Sequence, residues 1–371
     1  MTESEVAIVG GGLAGLQAAC LLQAAGVDFI LFEARNRLGG RILTVDAAGL
    51  PCDDGFDLGP SWFWPRVQPA IGELVAELGL PAFAQNSVGD VVFERMSREG
   101  PRRYRAVDPE PQSLRLVGGT AALVRALARE LPPECVQLGA HVTAMALTGK
   151  GVELAVARAD GLPETHTATQ VIAALPPRLL EATVAFTPAQ EAAAARRWSD
   201  TPTWMAPHAK FFALYERPFW RAAGLSGTAQ SMVGPMAEMH DATTASGHAA
   251  LFGFPGVAVE QRAALGEAAL ARAGVEQFVR IFGAAAGAPV ATVFKDWATD
   301  PFTATAMDRI PAGHPVPGAA PWVSEAWRQR LVLAGSETSP SEPDFLAGAV
   351  VAAGRAVGGV LAKRGSGGGR G

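Results

Sequence analysis

Val6-Ala7-Ile8-Val9-Gly10-Gly11-Gly12-Leu13-Ala14-Gly15 reads as a buried strand that runs into a glycine turn and opens a helix. Its first four residues are apolar and mostly β-branched, as in a strand covered on both faces. The glycines then follow the spacing GxGxxG. Gly10 permits the tight turn, Gly12 lets a pyrophosphate approach the backbone, and Gly15 lets helix and strand pack closely. The helix starting at Leu13 and Ala14 offers free N–H groups and the positive end of its dipole to phosphate. A second apolar strand over 28–32 ends at Glu33, where a carboxylate accepts hydrogen bonds from ribose hydroxyls. Strand, glycines, helix, strand and terminal acid in this order predict a βαβ dinucleotide site. The alternative is a glycine-rich turn with no ligand.

The rest of the chain bounds what such a site serves. Hydrophobic residues make up 49% and charged residues 18% of 371, a globular composition with room for two interleaved domains. The 42 glycines and 27 prolines are dispersed, which suits many tight turns. The formal charge of −5 and the lack of a large basic block argue against nucleic acid as a partner. Arg98, Arg102, Arg103 and Arg105 read as a solvated hairpin tip rather than an anion site. Three cysteines without a CxxC pair argue against a disulfide scaffold or a zinc site, with no metal expected, and are compatible with a reducing cytoplasm. The acidic N-terminus is not that of a signal peptide, and no apolar run is expected to reach the roughly 20 residues of a membrane span or anchor. The tail 364–371, rich in glycine and arginine, is expected to be disordered.

The acid at Glu33 does not distinguish NAD from FAD, since both carry an adenosine ribose. The continuation does: Glu33-Ala34-Arg35-Asn36-Arg37-Leu38-Gly39-Gly40-Arg41 adds a second glycine pair flanked by arginines. These arginines either reach phosphate as charged donors or form surface ion pairs. At this stretch the sequence resembles the flavin-containing amine oxidase family, in a monoamine oxidase-like form shortened in the substrate region.

The resemblance runs along nearly the whole chain. Asp57-Leu58-Gly59-Pro60-Ser61-Trp62 resembles the loop against the flavin ring, and Val142 with Val171–Pro177 the region touching adenine. Leu333-Ala334-Gly335-Ser336-Glu337-Thr338 is similar to the last FAD-binding strand, with Glu337 at the ribityl or pyrophosphate position. Phe345-Leu346-Ala347-Gly348 is similar to the start of the terminal helix, whose first N–H groups face the flavin pyrimidine. The implied fold is α/β: a Rossmann-type FAD-binding domain (GR2-like) interleaved with a smaller mixed β-sheet substrate domain. Residues 1–76, 114–197 and 299–371 are assigned to the first, and 77–113 and 198–298 to the second.

The same resemblance implies the chemistry. Lys210, ahead of a strand ending in Pro218-Phe219-Trp220, stands at the family's active-site lysine, water-bridged to flavin N5. Otherwise it snorkels to solvent. Trp297 resembles the tryptophan near the flavin's benzenoid edge, or is a core residue. Phe345 stands at one ring of the family's aromatic cage, while Ala306 matches the other, so half of the cage is expected to be missing. Thr305 falls where some members carry the cysteine that bonds FAD, which implies non-covalent FAD. Without the long helical insertion between 80 and 114, a smaller lid and a more open pocket are expected. Trp62, Trp64 and Trp204 either line the substrate path or pack the core. The expected reaction is oxidation of an amine to an imine, with hydride transfer to N5 and O2 as acceptor. Alternatives are a renalase-like oxidase of dihydronicotinamides, an amino-acid oxidase or desaturase, and a flavin-binding protein without catalysis. The six scattered histidines carry no assigned role.

Overall fold

Strand β1 (Thr2–Val9), helix α1 (Leu13–Ala24) and strand β2 (Phe29–Phe32) form the expected opening unit. The computed structural model describes residues 2–105, 111–158, 161 and 163–367. β1 pairs in parallel with β2 on one side and with the strand Pro163–Ala173 on the other. That last strand is longer than its apolar stretch suggests. Its first half is the final member of an antiparallel meander with Ala140–Leu147 and Val152–Arg158, and its end also pairs in parallel with Leu331–Leu333. Eight strands thus make one sheet, parallel where the site forms and antiparallel through the meander, with Ala185–Thr187 added in parallel at the far edge. Its parallel strands carry near-continuous apolar runs because both faces are covered.

The core on one face joins α1 to the terminal helix Leu346–Gly367, with α2 (Pro69–Glu77) and α3 (Ala121–Arg129) beside them. This terminal helix corrects an expectation. Its segment Leu346–Arg364 has 19 residues of mean hydropathy 1.4, long and apolar enough to cross a bilayer by length and composition. It packs on α1 instead, with Ala349, Ala353, Ala356, Val357 and Val360 buried in the same core cluster as Leu16, Ala19 and Leu22. The tail differs as well, since the helix continues through Gly367. The remainder, 368–371, lies outside the described residues.

The second sheet has seven strands in the order Ala291–Asp296, Ala209–Tyr215, Ala249–Pro255, Met236–Asp241, Leu225–Ser231, Asp90–Glu94, Arg102–Tyr104. One pair, Leu225–Ser231 with Asp90–Glu94, is parallel, so the sheet is mixed. The hairpin expected over 90–105 is its last pair. Ala209–Tyr215 is buried along its whole length. Period-two alternation turns Phe211, Ala213 and Tyr215 toward the helix Glu267–Phe282, where Phe211 meets Phe278 at 5.6 Å. Lys210, Phe212 and Leu214 therefore share the opposite face. Phe212 and Leu214 pack there on Phe56 and Leu58, and this alternation aims Lys210 at the loop that follows Asp57.

Gly15 shows how tightly the opening unit is packed. A Cβ there would lie 1.9 Å from the Gly10 carbonyl oxygen, a backbone atom that cannot step aside. Gly15→Ala is expected to cost about 3 kcal/mol by forcing α1 off β1. A urea unfolding curve reads the loss, and an unchanged midpoint would refute it.

Candidate active site

At the end of β1 the backbone is ordered before any ligand arrives. The Gly10 amide donates to Phe32 O at 2.8 Å and the Gly39 amide to Gly11 O at 2.8 Å, docking the second glycine pair on the first. Arg37, unassigned in the sequence, fixes that pair by donating to the carbonyls of Leu38, Gly40 and Ile42. Gly12 caps α1 in an extended conformation with no side-chain cap, so the first amides, from Leu13 to Gly15, have no helical partner. A Cβ on Gly12 would meet nothing closer than 4.0 Å, in contrast to the contacts at Gly10 and Gly15. The chain itself has no need of glycine at position 12. An anionic group held against the α1 amides does.

Glu33 is buried, and two backbone amides orient it: Gly11 N–H on Oε2 and Arg35 N–H on Oε1, both at 2.8 Å. A carboxylate has about four lone-pair directions, so two remain for ribose hydroxyls. Glu33, Ala34, Arg35, His141, Val142 and Phe302 line a small pocket beside it. The Arg35 side chain takes the ion-pair course rather than the phosphate one: it meets Asp300 at 2.6 Å and Thr303 at 3.0 Å, and its cation lies 5.4 Å from the Phe302 ring.

Arg41 turns the other way. Its guanidinium lies 2.7 Å from Glu337, 3.0 Å from Ser336 Oγ and 3.8 Å from Asp344. Glu337 follows Gly335, where a Cβ would strike Leu175 O at 2.2 Å, so the last strand closes directly on the first layer. Asp344 has a left-handed backbone, φ 72, just before the terminal helix starts at Leu346. Burial first, and then Glu337, push its carboxyl up to about 9, so the pair keeps a proton at neutral pH. Both oxygens of Glu337 and of Asp344 are buried, with Arg41, the Trp204 backbone and each other as their polar neighbours. Buried acceptors are nearly always satisfied. Carboxyl oxygens placed beside a backbone cradle that tolerates extra volume fit the hydroxyls of FAD, while the free α1 amides fit its pyrophosphate.

Lys210 does not snorkel. It is 4% exposed, and Nζ donates to Gly59 O at 2.6 Å, Ser61 Oγ at 2.8 Å and Asp57 O at 3.1 Å. The rings of Phe252 and Phe254 lie 4.8 and 5.3 Å away. Burial, opposed by Asp57 and reinforced by Arg115, lowers its pKa to about 7. The loop it grips is held from below by Trp297, a buried residue whose indole N–H donates to Leu58 O at 2.9 Å.

Beyond Gly59-Pro60-Ser61 the loop alternates. Phe63 is buried, while Trp62 and Trp64 serve two aromatic groups. Trp62 lies against Phe252 and His240, at 5.5 and 4.8 Å. Trp64 meets Phe345 edge-on at 6.3 Å. Phe345 also meets Trp204 at 6.0 Å and stacks on His314 at 4.7 Å. Ala306, the position matched to the second cage ring, is exposed in a short turn. Rings beside Phe345 therefore come from other segments. Thr305 is engaged in that turn, its hydroxyl donating to Asp308 at 2.9 Å, and no cysteine stands there to bond a flavin. Sequence reasoning missed Asp344 and His314. Neither belongs to a motif, and only the closing of the terminal segment brings them here.

Comparison with known proteins agrees with this geometry. Residues 96–361 match the family of flavin containing amine oxidoreductases, and residues 8–78 match the NAD(P)-binding Rossmann-like domain. The flavin-containing amine oxidase B of Mus musculus is 40% identical over 86 residues, 23% of this chain and 16% of that enzyme. The matched stretches span about a fifth or less of the curated relatives' length. Two solved structures share the fold nearly end to end. Cyclohexylamine oxidase from Brevibacterium oxydans superposes with a TM-score of 0.79 at 18% identity, covering 98% of this chain and 99% of that one. Putrescine oxidase bound to putrescine gives 0.77 at 20%, covering 97% and 99%. With the family match covering most of the chain and the cradle fitting a flavin dinucleotide, the chain belongs to the flavin-containing amine oxidoreductase family, and its cofactor is FAD.

Proposed function

We propose that this protein oxidises the C–N bond of a small-molecule amine to an imine, with O2 as the terminal acceptor. The observation that carries the reading is Lys210, buried with a pKa near 7 against the Asp57–Ser61 loop and beside the Phe252 and Phe254 rings, while Trp64, farther along the same loop, meets Phe345. FAD, when bound, supplies the acceptor for hydride equivalents from the substrate α-carbon and passes the electrons to O2, giving H2O2. The chain's residues do the rest. Trp62, Trp64, Trp204 and Phe345 exclude water and offer π-faces that attract a cationic or neutral amine. The N-terminal end of the terminal helix, which has no acidic residue in its first turn, stabilises negative charge near it. Lys210 can hold a water or a proton at Nζ, because burial brings its two protonation states close in energy at neutral pH. The aromatic wall favours amines with an apolar body over amino acids, whose carboxylate needs a cation in the pocket.

Anaerobic bleaching of the purified protein's flavin absorbance tests this with panels of amines, amino acids and dihydronicotinamides. Bleaching by an apolar amine, followed by peroxide when air is admitted, is expected. Bleaching by dihydronicotinamides alone would replace the reading with a renalase-like one, and a flavin that no donor bleaches would leave a binding protein without catalysis.

A further inference from the structure

His314 lies in an irregular segment between Ile310 and Ser324, and nothing in its sequence context marks it. The fold stacks its ring on Phe345, centroids 4.7 Å apart and planes 17° from parallel. The Trp204 indole lies 3.8 Å from the same ring. Nδ1 is 3.2 Å from the Pro343 carbonyl oxygen and 3.8 Å from Asp344 Oδ2. A carbonyl only accepts, so Nδ1 carries the proton and Nε2 the lone pair. About a third of the side chain is exposed, which leaves a route to water.

We propose that His314 is the base that deprotonates the incoming substrate ammonium, with the Pro343 carbonyl and Asp344 as its positioning groups. This rests on the amine reading above. An alkylamine has a pKa close to that of lysine, about 10.4, and so arrives protonated. Its nitrogen lone pair must be free before the α-carbon can give up a hydride equivalent. The ammonium N–H bond breaks, its electron pair stays on nitrogen, and a new N–H bond forms at Nε2. The imidazolium then releases the proton to water, so this step consumes no oxidant.

The surroundings suit a base that is neutral when the ammonium arrives. Burial lowers the pKa of His314, so the ring meets the ammonium in its neutral form. Asp344 keeps its own proton at neutral pH, and behind it stand Glu337 and Arg41, a balanced pair. Phe345 and Trp204 bring no charge, and His208 packs on Trp204 with its pKa also lowered by burial. No strong ion pair locks the imidazolium in place.

The test uses the FAD-loaded protein, His314→Phe, and two amines in anaerobic stopped flow. Phenylalanine keeps the stack on Phe345 and removes the base. Benzylamine is an ammonium at neutral pH, whereas 2,2,2-trifluoroethylamine is largely neutral. At about pH 7 the variant is expected to bleach about 100-fold more slowly with benzylamine, a gap that closes toward pH 10. With trifluoroethylamine, wild type and variant stay within about twofold. Equal losses with both amines, or an unchanged pH profile, would overturn the proposal. If His314→Phe does not accumulate, His314→Gln is expected to show the same dependence on the amine. A wild type that no amine bleaches would sink the amine reading itself, and this proposal with it.

Discussion

Lys210→Met is expected to lower turnover by about 10²- to 10³-fold, the usual loss when one preorganised donor is removed from a dry site. Substrate binding changes little, since the rings that grip the amine remain. Its effect on stability is a balance of opposed terms. The Gly59 and Asp57 carbonyls and the Ser61 hydroxyl lose their shared donor, at about 1–3 kcal/mol for each group left unsatisfied. Against this, the buried ammonium is itself costly. The sign follows from linkage. Lys210 titrates at about 7 in the fold against 10.5 in the free side chain. Between these values the unfolded chain holds a proton that the folded chain has released, so stability rises with pH across that window, by up to about 1.4 kcal/mol per unit. Below pH 7 both states are charged and the burial cost is borne in full. The variant lacks this slope. Urea midpoints of both proteins from pH 7 to 10 should therefore diverge in favour of the wild type, and parallel curves would mean that Lys210 is not titrating there.

Gly12→Ala is expected to leave the fold intact and to empty the site of flavin. The added methyl has no protein atom nearer than 4.0 Å, and the extended backbone at this position suits alanine. Helix capping costs about 1 kcal/mol at most. The same methyl would stand where a pyrophosphate must touch the α1 amides. A displacement that removes about 3 kcal/mol of binding lowers FAD affinity by roughly 10²-fold. The readout is the ratio of flavin to protein absorbance after purification, with the urea midpoint as control. A variant that keeps its flavin would show that the phosphates lie elsewhere. Gly15→Ala should do the opposite and damage the fold first, so the two glycines separate the ligand's requirement from the chain's own.

What could be read in advance was what is local in sequence. The GxGxxG turn, Glu33 and the strand carrying Lys210 lie in short windows whose spacing or alternation sets their geometry. Arg35 shows where that reading stops. Its spacing allowed either a phosphate or an ion pair, and Asp300, distant in the chain, decides the matter. The terminal helix shows the opposite failure, since its apolar length belongs to core packing against α1. Asp344 and His314 were invisible for a stronger reason. Each matters only through neighbours drawn from several remote segments, and an aspartate in a left-handed conformation before a helix has no pattern to betray it.

The strand Pro163–Ala173 carries a consequence for how the protein is made. Along its length it is the partner of the meander, of β1 and of Leu331–Leu333, so the first and last parts of the described chain meet on it. The glycine cradle leaves the ribosome early, and Glu337 and the helix that covers α1 leave it late. Until then α1 presents an apolar face with no cover, the kind of surface that attracts chaperones or other nascent chains. Flavin loading is thus expected to be post-translational, and cells short of flavin should accumulate a protein whose weakest seam runs between its oldest and its newest segments.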